Sequence, residues 1–234
     1  MMKMEPTVVE SLSEHAGVFA EKYLHNKNFI QRYRVWTNTI DRYSKGAATG
    51  YDMGCGSGIF SFYMASKGIQ TVGFDGAKGM IELCNSSREE KKISNIEFRL
   101  EMLPLWDYVS MQPVDLIITS SVLEYIENID STLKMFDHLL KPNGKLIVSF
   151  PNKDAVYRKI EMGIFRMVRK PDYFRFVKNI WNKKEAKELF GRHGFHLVES
   201  FYYSDRSLIS RIAGIAGGGK RAGNMTMMVF DKQK

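Results

Sequence analysis

Tyr51 to Gly58 reads YDMGCGSG, three glycines at alternate positions directly behind an acid. Each glycine answers a backbone need: a tight turn off a strand, main chain pressed against a ligand, or a helix packed close on a strand. Such a loop can hold a dinucleotide, a nucleotide phosphate or an adenosine-bearing cofactor without phosphate, or it can serve packing alone. The dinucleotide fingerprint requires G-x-G-x-x-G, and Ile59 stands where its third glycine belongs, which disfavours a pyrophosphate. No Gly-Lys-Ser or Gly-Lys-Thr follows to make a P-loop. GIAGGGKR, Gly214 to Arg221, comes near one, but it ends in Arg221 where a magnesium-binding hydroxyl is needed, and it precedes a strand. It reads as a flexible hairpin or loop. Asp75, in TVGFDGA, falls at the end of the next apolar run. A carboxylate there faces the crevice outside the strand ends and can accept both hydroxyls of a ribose. The ligand therefore carries a ribose and no pyrophosphate.

The surrounding elements must bring this loop and acid together. VVESLSEHAGVFAEKY and NFIQRYRVWTNTIDRY read as two helices, the second presenting Phe29, Tyr33, Trp36, Ile40 and Tyr43 on one face. AATGYDM is a strand, and GIFSFYMASKG a helix closed by Gly68. The alternation continues with IQTVGF, AKGMIELCNSSREEKK, NIEFRL, VDLIITSS, IDSTLKMFDHLL, a KPNGK turn and LIVSF. After Pro151 it lapses for about thirty residues, then resumes with KKEAKELFGRHG, FHLVESFYY and a final NMTMMVF. Strands alternating with helices of this length imply βαβ units and a doubly wound α/β fold, its mostly parallel sheet covered on both faces.

Composition narrows the class further. The 234 residues, 44% hydrophobic and 26% charged, suit one soluble domain with insertions. No apolar run reaches the roughly 18 residues a membrane span needs, and MMKMEPTVVESLSEH has no signal-peptide core, so a cytoplasmic location is expected. Cys55 and Cys84 lack metal-ligand spacing and read as reduced thiols; no metal is expected. The net charge of +8 is concentrated: Lys153 to Lys184 holds ten cations against three acids, an excess of seven.

In this arrangement the chain resembles the class I S-adenosylmethionine-dependent methyltransferases. The resemblance rests on YDMGCGSG, VGFDGAKGMIELC, NIEFRLEMLPL, VDLIITSSVLEYIEN, LKPNGKLIVSFPN and LFGRHGFHLVES, in the family's order and spacing over roughly residues 47 to 200. The small-molecule branch that includes ubiquinone-biosynthesis O-methyltransferases is the nearest in character. The resemblance implies a Rossmann-like, seven-stranded sheet in a single domain over 1–234, with N-terminal helices over 1–45 and a basic helical lid inserted at about 152–182. It implies S-adenosyl-L-methionine as cofactor and S-adenosyl-L-homocysteine as product. Asp52, Gly54 and Gly56 would form the floor under the methionine part, Asp75 would hold the ribose, and Gly76 and Met80 would flank the adenine. Glu101 and Met102 fall where the family places its adenine-amine acceptor and the neighbouring amide, though Asp is the commoner residue there. Ser120 would line the sulfonium. Tyr23 and Arg32 would close over the cofactor; Arg32, beside the aromatic face of its helix, is chosen over Arg34 to meet the methionine carboxylate.

Methyl transfer from a sulfonium is an in-line displacement, which requires alignment and exclusion of water more than acid or base power. A hydroxyl acceptor still needs a proton acceptor. Tyr125 occupies the family's histidine position, but an unperturbed tyrosine is protonated at pH 7. His15, His193 and His196 are the other candidates, His193 reading as a charge partner at a helix C-terminus. Tyr125 and His15 are the catalytic pair to test. The lid mixes apolar side chains with its cations and suits an apolar or anionic small-molecule acceptor, with contact to acidic membrane as a further reading. TSSVLEY lacks the Asn/Asp-Pro-Pro-aromatic pattern of exocyclic-amine methyltransferases, which argues against nucleic acid as a partner. RNA or protein methylation, and a cofactor-binding scaffold without catalysis, remain as alternatives.

Overall fold

The computed structural model describes residues 8–169, 172–204 and 222–232. The GIAGGGKR stretch lies outside them. Three helices, α1 (Val8–Glu14), α2 (Ala16–His25) and α3 (Lys27–Tyr43), lead into β1 (Thr49–Met53), α4 (Ile59–Ser66), β2 (Gln70–Asp75), α5 (Lys78–Lys91), β3 (Ile96–Leu100) and β4 (Val114–Ser120). There follow α6 (Ile129–Leu139), β5 (Leu140–Pro151), α7 (Val156–Val168), α8 (Lys183–Arg192), β6 (Phe195–Tyr203) and β7 (Met225–Lys232). The seven strands form one sheet in the order β3-β2-β1-β4-β5-β7-β6, parallel except for β7, which runs antiparallel between β5 and β6. The chain winds outward in both directions from β1 and β4, so the crevice beyond their carboxyl ends is the switch point of the sheet.

Both faces are covered, as the continuous apolar strands required. In β4, Ile117 packs with Leu146, Val148, Phe136 and Phe190 on one face. Its neighbours Leu116 and Ile118 pack with Ile147, Trp36, Ile40 and Phe60 on the other. This is the period-two alternation of a strand with a core on each side.

Two local readings change. VVESLSEHAGVFAEKY breaks at His15 (φ −110°, ψ 18°) into α1 and α2, giving three helices before the sheet instead of two. The two halves dock on different partners. Ser13 of α1 accepts from the Gly79 amide of α5 at 2.7 Å, and Gly79 leaves no room for a side chain, since a Cβ there would lie 2.3 Å from the Ser13 carbonyl oxygen. The apolar side of α2 instead packs against α3 through Phe19 and Phe29. KPNGK, expected as a turn ahead of the strand, is absorbed into β5: Val114 pairs Leu140, the register then shifts to Leu116 with Lys145, and Asn143 takes up the slack at φ 64°.

Candidate active site

The glycine loop leaves β1 with Gly54, Gly56 and Gly58 all at positive φ (79°, 53° and 73°). The amides of Gly54 and Cys55 both donate to the Phe74 carbonyl, at 2.8 and 2.9 Å, which ties the loop to the end of β2. Asp75 then receives two more amides, Gly56 on Oδ2 and Ala77 on Oδ1, each at 2.8 Å. Burial pushes the Asp75 carboxyl up and these two bonds oppose it. Loop and acid are thus one rigid unit.

Two adjoining cavities, about 360 and 120 Å³, open over this unit and share Leu12, Gly54, Asp75, Ser121, Val122 and Tyr125. Of the residues singled out in the sequence, Arg32, Gly56, Met80 and Ser120 line the larger cavity, while Gly76, Glu101 and Met102 line the smaller. Arg32 reaches 88 residues along the chain to donate through Nη2 to the Ser120 carbonyl at 2.8 Å and Oγ at 2.7 Å. Its Nε is buried without a partner among the described residues. Arg34 is exposed, as its place on α3 implied.

Three of the chosen residues stand apart from both cavity linings. Asp52 is 1% exposed beneath the loop, with Oδ2 accepting from Ser61 at 2.6 Å and Oδ1 without a partner among the described residues. Burial pushes its carboxyl up to about 7. Tyr23 is buried edge-on against Phe29 and Phe60, close enough to Arg32 to feel its charge. His15 is exposed at the α1–α2 junction. Tyr125 does line both cavities, yet burial and then Glu124 push its phenol well above the ordinary tyrosine range. It stays protonated at neutral pH and can act as a donor, not as a base. His193, at the C-terminal cap of α8, forms a hydrogen bond with Asp130 of α6 at 2.7 Å, and His196 is exposed on β6.

The structure adds residues that the motifs did not reveal. Ser121 sits in the left-handed region at φ 58° and lines both cavities, a strained backbone position of the kind functional turns adopt. Glu124, next to Tyr125, is 2% exposed, and burial pushes it up to about 7 against the pull of Arg32 and Arg158. Its carbonyl accepts from the amides of Lys178 and Asn179 at 2.7 and 3.1 Å. Arg158 of α7, one of ten cations that charge counting treats alike, is 7% exposed within the inserted segment. Tyr173, Arg175 and Phe176 of that segment complete the wall of the larger cavity.

A family model described as a methyltransferase domain matches residues 45–194, from the approach to β1 to the end of α8. The chain belongs to the methyltransferase domain family. This methyltransferase is S-adenosyl-L-methionine-dependent. It is 27% identical over 187 residues to the ubiquinone biosynthesis O-methyltransferase of Acinetobacter baylyi, covering 76% of this chain and 78% of that one. The corresponding protein of Pelagibacter ubique is 30% identical over 142 residues, 56% of this chain and 57% of its own. Among solved structures, the N-methyltransferase NodS of Bradyrhizobium japonicum in complex with S-adenosyl-L-homocysteine aligns over 98% of this methyltransferase and 100% of its own chain, with a TM-score of 0.66 at 15% identity. That likeness is one of fold.

Proposed function

We propose that this methyltransferase transfers a methyl group to an oxygen or nitrogen of a small-molecule acceptor by in-line displacement. The observation that carries the cofactor side is Asp75, fixed by the Gly56 and Ala77 amides at the junction of the two cavities, with lone pairs left for ribose hydroxyls. The surroundings fit the rest of S-adenosyl-L-methionine. Gly54 admits no side chain, and two of the buried polar atoms that lack a partner among the described residues, Arg32 Nε and Asp52 Oδ1, belong to the residues assigned to the methionine end. When bound, the cofactor supplies an electrophilic methyl on a sulfonium. In this reading Gly54, Gly56 and Asp52 underlie the methionine portion, and Arg32, backed by Tyr23, meets its carboxylate. Gly76, Met80, Glu101 and Met102 surround the adenine. Ser120 and Tyr125 face the sulfur, while Tyr173 and Phe176 close the far side and exclude water. The two ubiquinone biosynthesis O-methyltransferases among the relatives favour oxygen over nitrogen.

Isothermal titration with S-adenosyl-L-homocysteine, against NADH and ATP, tests the cofactor assignment. Binding of S-adenosyl-L-homocysteine alone is expected; preference for NADH overturns it.

The inserted segment, proposed as the lid over 152–182, also supports contact with an acidic membrane. On α7, Ile164, Met167 and Val168 are 45%, 85% and 60% exposed among the exposed cations Lys159, Arg166 and Arg169. Co-flotation with vesicles containing phosphatidylglycerol at low salt is the expected result, and its absence removes this part. No helix among the described residues is long and apolar enough to cross a membrane.

A further inference from the structure

Methylation of a hydroxyl releases a proton, and neither residue picked from the sequence stands ready to take it: Tyr125 is held protonated and His15 lies outside both cavities. The inserted segment carries a polar cluster that the reaction has not yet used. Tyr173 lines the larger cavity. Its phenolic oxygen accepts from Arg158 Nη1 at 2.8 Å and donates to Glu161 Oε1 at 3.1 Å. Arg158 closes the triangle on Glu161 Oε2 at 3.0 Å, and the two side chains are only 9% and 12% exposed. Arg158 and Glu161 stand three residues apart on α7, so the helix itself sets the pair. Removing an ion pair from water is costly, and a segment that served only as a cover needs none. A phenol has one proton to give and two lone pairs. Arg158 occupies one pair, which leaves the other for a hydroxyl.

We propose that Tyr173 is the catalytic residue that takes the proton of a hydroxyl acceptor and relays it to Glu161, with Arg158 as the positioning residue. This rests on the methyl-transfer reading above. As the acceptor oxygen bonds to the methyl carbon, the carbon–sulfur bond breaks and its electron pair stays on sulfur. The acceptor proton passes to Tyr173 Oη while the Tyr173 proton passes to Glu161 Oε1. A cation, a neutral hydroxyl and a carboxylate become a thioether, a neutral ether and a carboxylic acid, so atoms and charge balance.

The electrostatics suit a relay and not a stored phenolate. Burial pushes Tyr173 up to about 12, Arg158 pulls against it and Glu161 adds to it. The other groups facing the cluster are Tyr157 of α7, which bonds Glu161, then Tyr125 and Glu124 from the turn after β4, and Arg175 and Arg32 along the cavity wall.

The test compares Tyr173→Phe and Glu161→Gln with the wild type, using labelled S-adenosyl-L-methionine and two probes. Catechol needs its proton removed, whereas 4-nitrothiophenol is ionised at pH 7 and does not. Both variants should lose about 100-fold or more in kcat for catechol. Both should lose at least about tenfold less in thiophenolate kcat than in catechol kcat. Tyr173→Phe keeps the ring packed on Phe174, and Glu161→Gln covers the case in which that variant fails to fold. Equal losses with both probes mean a structural role and overturn the proposal, as does no loss with catechol, or a wild type that binds S-adenosyl-L-homocysteine and methylates neither probe. A wild type that does not bind S-adenosyl-L-homocysteine defeats the underlying cofactor reading instead.

Discussion

Gly54→Ala isolates what the glycine loop contributes, because its two costs can be separated. Gly54 holds φ 79°, and a Cβ added there would lie 2.2 Å from Val122 Cγ2 and 2.8 Å from Cγ1. An L-residue in the left-handed region costs about 1–2 kcal/mol, and forcing a methyl into packed space costs about 1–3 kcal/mol more. Gly56→Ala shares only the first cost: φ is 53°, but the nearest atom is Phe19 Cε1 at 3.6 Å. In thermal melts of the ligand-free protein, each kcal/mol is worth about 2–4 °C for a chain of this size. Gly54→Ala should therefore fall at least about 4 °C, clearly below Gly56→Ala. Adding Val122→Ala to Gly54→Ala should recover the steric share and leave the backbone share. Because Val122 lines both cavities, Gly54→Ala should also weaken S-adenosyl-L-homocysteine binding by tenfold or more in titration calorimetry. A Gly56→Ala variant that melts as low as Gly54→Ala, or a double variant that recovers nothing, refutes the packing argument.

Asp75→Asn should lower S-adenosyl-L-homocysteine affinity about 100-fold by calorimetry, since an amide N–H would confront the donating amide of Gly56 or Ala77 and one acceptor for the ribose is lost, a change of roughly 2–3 kcal/mol. Asp115 offers a pH test of stability. Burial works to raise it, but bonds from Lys141, Thr49 and Ala48 hold it down at about 2. A depressed carboxyl stabilises above its unfolded value near 4 and loses that contribution as pH falls to about 2. Asp115→Asn should cost about 1 kcal/mol at pH 7, after discounting for partial exposure, and nothing by pH 2; a pH-independent difference in urea melts contradicts this. Glu124 has the opposite sign. With its folded value raised to about 7, the ligand-free protein loses stability as pH rises from about 4 to 7, where only the unfolded chain releases the proton freely. Glu124→Gln should gain melting temperature over wild type at pH 8 and little at pH 4.5, and a gain equal at both pH values counts against it.

What could be read from the sequence was what adjacent residues decide. The Gly54 to Gly58 spacing and Asp75 follow from one βαβ unit, so the meeting of loop and acid at the ends of β1 and β2 was legible before any contact was known. Arg32 over Arg34 was a matter of helix phase. The break at His15 was not legible, because it reflects α1 docking through Ser13 onto Gly79, 66 residues away, while α2 follows α3. Asp52 and Asp75 both looked like ligand-facing strand-end acids. Asp52 instead turns under the loop to Ser61, an orientation set by packing. Within the basic segment a count of charge treated all cations alike, and only tertiary contact separates the buried Arg158 from exposed Lys159. Glu124 was hidden by ordinariness: a single acid in a short turn gives no pattern until both the sheet and the inserted segment close over it.

That turn is tied down from two sides. From the sheet side, Arg32 binds the Ser120 carbonyl and hydroxyl immediately before it. From the other side, the Asn179 side chain donates to the carbonyls of Leu123 and Ile126 at 2.9 and 2.6 Å, and the Glu124 carbonyl takes the amides of Lys178 and Asn179. Ser121, Val122 and Tyr125, the residues between these ties, line both cavities. A displacement of the inserted segment therefore reaches the wall that both cavities share, because Arg32 holds Ser120 at one end of the turn and Asn179 holds Leu123 and Ile126 further along it. The strain at Ser121 follows from this double attachment: the chain must leave β4 in register with Ser149 and still present Leu123 to Ile126 to the incoming segment, and a left-handed residue turns it through the required angle. The cavity floor over the glycine loop could be located from its motif, whereas the opposite wall is built from contacts that this turn gathers from residues 32 to 179.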